Sequence, residues 1–192
     1  MAYDKDGNEA GRKIYDTNGD LKEVIACLYN EQNKLKEETG INAQGEMTTR
    51  TTYKYNDKGM MVEENLWTLI YANPIATTTY SYDDEGRMKE SIAWYSYKKD
   101  KVMWRYVYEY NAQGQKVMQK TFKEDGSLER KYVYEYNDKG YQSKEEVTGD
   151  VILGSTYIFK YQYDKKGNWI KRIEIFEGEP SGITERIINY YE

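Results

Sequence analysis

The sequence predicts an all-β protein: one antiparallel β-meander of about fourteen strands, built from hairpin repeats of 26–28 residues. Three observations predict it. A short signature (tyrosine, Asn or Asp, two further residues, then Gly) recurs along the chain. A second set of turn-forming residues falls between its copies. The stretches between turns alternate large apolar with polar residues at a period of two.

The signature reads "YKYNDKG" at 53–59, "YSYDDEG" at 80–86, "YEYNAQG" at 108–114, "YEYNDKG" at 134–140 and "YQYDKKG" at 161–167. Its last residues are Gly7, Asn33, Gly59, Gly86, Gly114, Gly140 and Gly167, spaced by 26, 26, 27, 28, 26 and 27. Asn or Asp at the first turn position accepts backbone N–H groups, and the fourth position needs a positive φ, which glycine adopts without strain. That combination predicts a type I turn closed by a G1 bulge. Asn33, the one departure, is the non-glycine residue most tolerant of that conformation. The second set comprises Gly19, Gly45, "NP" at 73–74, "KKDK" at 98–101, Gly126, "TGD" at 148–150 and "EGEPSG" at 177–182.

The strands follow from the alternation. Met47, Thr49, Thr51, Tyr53 and Tyr55 share one face, as do Val102, Trp104, Tyr106, Tyr108 and Tyr110. The pattern returns in Leu128, Arg130, Tyr132, Tyr134 and Tyr136, and in Tyr157, Phe159, Tyr161 and Tyr163. Two residues after a turn glycine stands Leu21, Met47, Met61, Met88, Leu128 or Trp169, placed to pack across the hairpin. One face is therefore expected to be aromatic and the other mostly charged. Fourteen strands at about 4.8 Å make a sheet roughly 65 Å wide if flat, too many for a barrel that side chains could fill. An open, twisted and coiled single sheet is the expectation, with a closed or partly closed barrel second. Residues 1–192 form a single repeat domain in this reading. Because "MAYDKDG" opens inside a repeat, a signal, lipid anchor or upstream repeats are expected to have been removed.

Composition narrows the function. The 192 residues carry a net charge of −5, with 28 basic residues dispersed among 33 acidic ones, which excludes the basic stripe nucleic acids need. No apolar run is long enough to span a bilayer. Mean hydropathy is −0.99, yet 22 tyrosines in periodic positions argue for folding rather than disorder. The chain has no histidine, which removes the commonest general base and metal ligand. Cys27 alternates with Ile25 and Tyr29 and is read as a buried structural thiol. The acidic residues are read as scattered over the charged face and the turns, with no catalytic pair. "DKDGN" at 4–8 and "DTNGD" at 16–20 have turn spacing, not the spacing of a calcium loop. No enzyme, metal or cofactor is expected.

"YSYDDEGRM" (80–88) and "YQYDKKGNW" (161–169) resemble the YD repeats of the RHS family, and the likeness runs through nearly the whole chain, most clearly from 46 to 170. The resemblance implies an exported bacterial protein of the cell surface, extracellular space or periplasm. Within the family such repeats serve binding or adhesion, with carbohydrate often proposed as ligand, or build the hollow β-shells of toxin complexes. Two function classes follow. The first is a non-catalytic binding or adhesion module that takes a glycan or cell-envelope protein through the aromatic face, with Trp67, Trp94, Trp104, Trp169, Tyr108 and Tyr134 as candidate contacts. The second is a structural spacer, stalk or shell fragment with no ligand of its own. The segment "WTLIYANPIATTTY" (67–80) breaks the spacing and could carry a specific contact.

Overall fold

The structure, a computed structural model, describes every residue except Ala72, Tyr97, Lys99, Asp100, Val151, Tyr191 and Glu192. Among the described residues the chain forms strands and no helix. They are β1 (Ala2–Tyr3), β2 (Glu9–Tyr15), β3 (Leu21–Tyr29), β4 (Leu35–Asn42), β5 (Met47–Tyr55), β6 (Met61–Thr68), β7 (Ala76–Tyr82) and β8 (Met88–Tyr95). There follow β9 (Val102–Tyr110), β10 (Lys116–Phe122), β11 (Leu128–Tyr136), β12 (Gln142–Gly149), β13 (Ile152–Tyr163), β14 (Trp169–Phe176) and β15 (Glu179–Glu185). Strand order follows chain order from β1 to β15 in one antiparallel meander, and the sheet does not close into a barrel. The chain divides into two compact units, Met1–Arg105 and Tyr106–Glu192.

The turns have the expected chemistry. In the hairpin between β11 and β12, the Asn137 carbonyl accepts the Gly140 N–H at 2.8 Å, and the Asn137 N–H donates to the Tyr141 carbonyl at 2.9 Å. The Asn137 side-chain oxygen accepts the N–H groups of Lys139 and Tyr141 at 3.0 and 3.1 Å. Gly140 has φ 80° and Asn33 has φ 56°, both left-handed. The ladder shifts register at Glu135/Tyr136, as a bulge requires. The same shift brings the apolar residue after the turn opposite the residue before it: Tyr15 with Leu21, Tyr55 with Met61, Tyr82 with Met88, Tyr163 with Trp169.

Of the second-set turns, two differ from expectation and a third lies partly outside the described residues. The residues 98–101 include Lys99 and Asp100, outside the described residues. Gly149 is not a turn glycine. It lies in β12 opposite Arg130, where a Cβ would come within 2.3 Å of the Glu129 carbonyl oxygen, so it is small for close approach of two backbones. In "EGEPSG" only Glu177 and Gly178 turn, both with positive φ (48° and 90°), the signature of a two-residue type I′ hairpin. Glu179–Gly182 belong to β15, a strand at the end of the order, where Pro180 is tolerated because no further ladder needs its N–H. In the irregular segment 67–80, β6 ends at Thr68 and β7 starts at Ala76, leaving Leu69, Ile70 and Tyr71 exposed between them.

With no helix and no second sheet among the described residues, little is fully buried. The buried apolar side chains are Cys27, Ala93, Met118 and Val147, and the strand tyrosines are mostly half-buried. Cohesion must come from contacts within each face of the sheet rather than from a sealed core.

Candidate functional site

The face carrying the Tyr-x-Tyr pairs is built by one recurring contact. In the unit Met1–Arg105, the hydroxyls of Tyr29, Tyr55 and Tyr82 donate to the backbone carbonyls of Glu9, Leu35 and Met61 at 3.0, 2.8 and 2.7 Å. In the unit Tyr106–Glu192, Tyr136 donates to Lys116 and Tyr161 to Gln142, at 2.7 and 2.8 Å. Each acceptor is the fifth residue after the Asn or Asp of a turn, at the start of the neighbouring strand. The ring covers the hairpin while its hydroxyl satisfies a carbonyl next to the bulge, where the ladder is locally interrupted. In the last repeat the first tyrosine of the pair makes this bond. Tyr163 instead accepts from the Asn137 side-chain amide of the previous turn at 3.0 Å, with Lys139 Nζ 4.5 Å from its ring centroid.

Carboxylates share this face, which corrects the expectation that acids keep to the opposite face and the turns. Tyr53 donates to Glu38 and Tyr80 to Glu64, each at 2.9 Å, and Glu145 stands directly opposite Tyr134. A tyrosine hydroxyl gives a half-buried carboxylate a donor, so the strand alternation tolerates Glu where it would otherwise exclude it. Burial, reinforced by the Glu38 and Glu64 carboxylates, drives the Tyr53 and Tyr80 phenols far above their usual range. Burial, then Glu145, pushes Tyr134 up to about 12.

The predicted contact residues do not form one surface. Trp67 pairs with Arg50, whose guanidinium lies 5.3 Å from the indole centroid, and Trp94 pairs with Thr77. Their strand neighbours Leu66 and Ala93 are the residues that face Thr51 and Thr78 on the tyrosine side. Trp67 and Trp94 therefore occupy the opposite face: alternation of two makes a one-residue offset change sides. Trp104 alternates in phase with Tyr108 on β9, and Trp169 meets Tyr161 edge-on at 6.1 Å while Arg186 covers its ring at 4.0 Å.

Cys27 is buried opposite Glu38, with Sγ 3.8 Å from the carboxylate; burial, then Glu38, pushes the thiol up, away from nucleophilic use. In the acidic turns, one oxygen of Asp4 accepts the N–H groups of Asp6 and Asn8, and one of Asp16 those of Asn18 and Asp20. Those oxygens hold the turns. Among the described residues no cluster of three or more acidic or Cys side chains could hold a metal ion.

Sequence reasoning missed a depression of about 370 Å³ on the tyrosine face of the unit Tyr106–Glu192. Buried Val147 lies in it beside Ser155, Tyr132, Tyr157 and Phe159 supply rings, and Arg130, Glu145 and Glu174 supply charge. Its signal was in the chain. Two and four residues before the first tyrosine of each pair stand Thr51 and Thr49, or Thr78 and Ala76, in early repeats. Tyr132 and Arg130, then Phe159 and Tyr157, stand there in late ones.

The fold is similar to parts of much larger chains. A crystal structure of TcdB2-TccC3-Cdc42 aligns with a TM-score of 0.58 at 15% identity, over 91% of this chain and 10% of that one. The Photorhabdus luminescens Tc holotoxin pore aligns at 0.57 and 14% identity, over 91% and 9%. TcdB2-TccC3 without its hypervariable C-terminal region gives 0.56 at 15%, over 91% and 9%. The chain thus spans about a tenth of the length of the structures it matches. No family model and no curated protein sequence matches the chain.

Proposed function

We propose that this chain is a non-catalytic, exported structural repeat module, a section of β-sheet wall whose tyrosine face holds neighbouring strands together. The observation that carries the proposal is the commitment of Tyr29, Tyr55, Tyr82, Tyr136 and Tyr161 to backbone carbonyls, repeated through both units. A surface kept for a partner leaves its hydrogen-bonding handles available, whereas these are consumed by the sheet itself. The lack of histidine and the buried, raised thiol of Cys27 support a role without chemistry. Similarity to segments of Tc toxin chains supports a wall-building role, and a tenth of their length supports a section rather than an enclosure.

Fractionation of the producing cells, together with a glycan array and an envelope pull-down with the purified chain, tests this. The proposal expects the protein in the envelope or medium, with no saturable glycan or envelope binding that Trp104→Ala or Trp169→Ala removes. A cytoplasmic location, or binding abolished by those substitutions, overturns it.

A further inference from the structure

Rings in this protein are repeatedly capped by the chain's own cations. Lys116 Nζ lies 5.7 Å from the Tyr108 ring centroid and 5.0 Å from that of Tyr134. Lys166 lies 3.9 Å from Tyr190, and the Arg172 guanidinium 5.5 Å from Phe159. Two of the three rings bordering the depression on the tyrosine face depart from this pattern. Among the described residues no cation lies over Tyr132 or Tyr157, although both rings border it. Tyr157 is fixed against Phe176 at 4.8 Å and Tyr132 lies parallel to Tyr134 at 6.4 Å, so both rings are held in place.

Carboxylates stand across from rings. Glu145 is directly opposite Tyr157 and Glu174 directly opposite Phe159 on neighbouring strands. Arg172 approaches Glu174 at 4.0 Å, whereas Glu145 accepts the Gln142 amide at 3.0 Å and interacts with the Lys116 charge without forming an ion pair among the described residues. Arg130, opposite Gly149, also borders the depression, and its guanidinium reaches the hydroxyl of Tyr132 rather than the ring face. The fold does not need these rings. Strands β5 and β7 pair on both sides with Thr51, Thr49, Thr78 and Ala76 at the matching positions.

We propose that the depression bordered by Tyr132, Tyr157 and Glu145 is a binding site for an organic ammonium ion, such as a quaternary or methylated alkylammonium head group. Ring faces attract such a cation and a carboxylate without an ion pair completes its charge balance. The volume, about 370 Å³, is within the range of small-ligand sites. The site stands apart from the structural role proposed above, since it uses none of the tyrosines bound to backbone carbonyls.

The test is an NMR titration of the full chain with choline and with its neutral isostere 3,3-dimethylbutan-1-ol. Saturable choline binding with a Kd of order 1–10 mM is expected, with the isostere at least about tenfold weaker. Tyr157→Leu and Glu145→Gln should each weaken choline at least about tenfold, and the near-isosteric Glu145→Gln separates lost binding from lost folding. Equal binding of choline and isostere, no saturation by folded wild-type protein, or choline binding untouched by Glu145→Gln overturns the assignment. A negative glycan array leaves it standing, so the two proposals fail separately.

Discussion

The Tyr136 hydroxyl lies 2.7 Å from the carbonyl oxygen of Lys116, twenty residues earlier and on the adjacent strand. The bond joins the end of β11 to the start of β10, where the bulge interrupts the ladder. Tyr136→Phe keeps the ring and removes only the donor, so it should lower stability by about 0.5–1.5 kcal/mol, the net worth of one hydrogen bond. Urea denaturation measures it. An unchanged midpoint at unchanged slope would mean that the contact contributes nothing.

Gly140, at φ 80°, closes the next turn. Gly140→Val forces a β-branched residue into the left-handed region and should cost more than about 1 kcal/mol. Asp138, exposed in the same turn, should tolerate Ala within about 0.5 kcal/mol. Asn33→Gly should be neutral to slightly stabilising, because φ 56° is already left-handed. Thermal melts in which Asp138→Ala lowers the Tm more than Gly140→Val would contradict the turn geometry.

The turns and strands were legible in the sequence because their physics is local. Asn137 and Gly140 specify a turn within four residues, and alternation along β5 or β9 needs only its own strand. Three features needed register instead. Trp67 and Trp94 look like members of the aromatic set until pairing with Arg50 and Thr77 places them on the other face. Glu38 and Glu64 read as solvent-facing acids until Tyr53 and Tyr80 reach them across strands. Gly149 and Pro180 look like loop residues, but one permits close approach of two backbones and the other lies in the last strand of the order. Residue type alone does not reveal a neighbour fifteen or more residues away.

Alkaline titration should separate the tyrosines. Burial, then Glu145, raises Tyr134 to about 12, above the value near 10 of an unfolded phenol. Folding therefore favours its neutral form: that contribution is complete below about pH 10 and is lost as pH rises through 12. Tyr53 and Tyr80 shift in the same direction. Absorbance at 295 nm (a phenolate band) should show a late step that shrinks in Tyr134→Phe, with unfolding over the same interval. A single step near pH 10 would contradict the burial.

On the opposite face, the Arg50 guanidinium holds the Glu37 carboxyl below its ordinary value, at 2.7 Å. This contribution is present above the unfolded carboxylate value near 4.3 and is lost as pH falls through the lowered one. Arg50→Gln should raise the Glu37 pKa in an NMR titration and reduce the acid sensitivity of stability. An unmoved Glu37 would show that the pair is incidental.

The stability of the fivefold variant Tyr29→Phe, Tyr55→Phe, Tyr82→Phe, Tyr136→Phe, Tyr161→Phe bears on the whole account, because it removes the hydroxyls that join strand to strand and leaves every ring in place. Well-separated sites add, and five hydrogen bonds at about 1 kcal/mol each sum to between a third and all of the stability of an ordinary domain, about 5–15 kcal/mol. Urea denaturation followed by far-UV circular dichroism should find the variant largely unfolded, or with its midpoint reduced by about a third or more, beside a wild type rich in strand. A variant as stable as wild type would contradict the claim that the tyrosine face is what holds the sheet together.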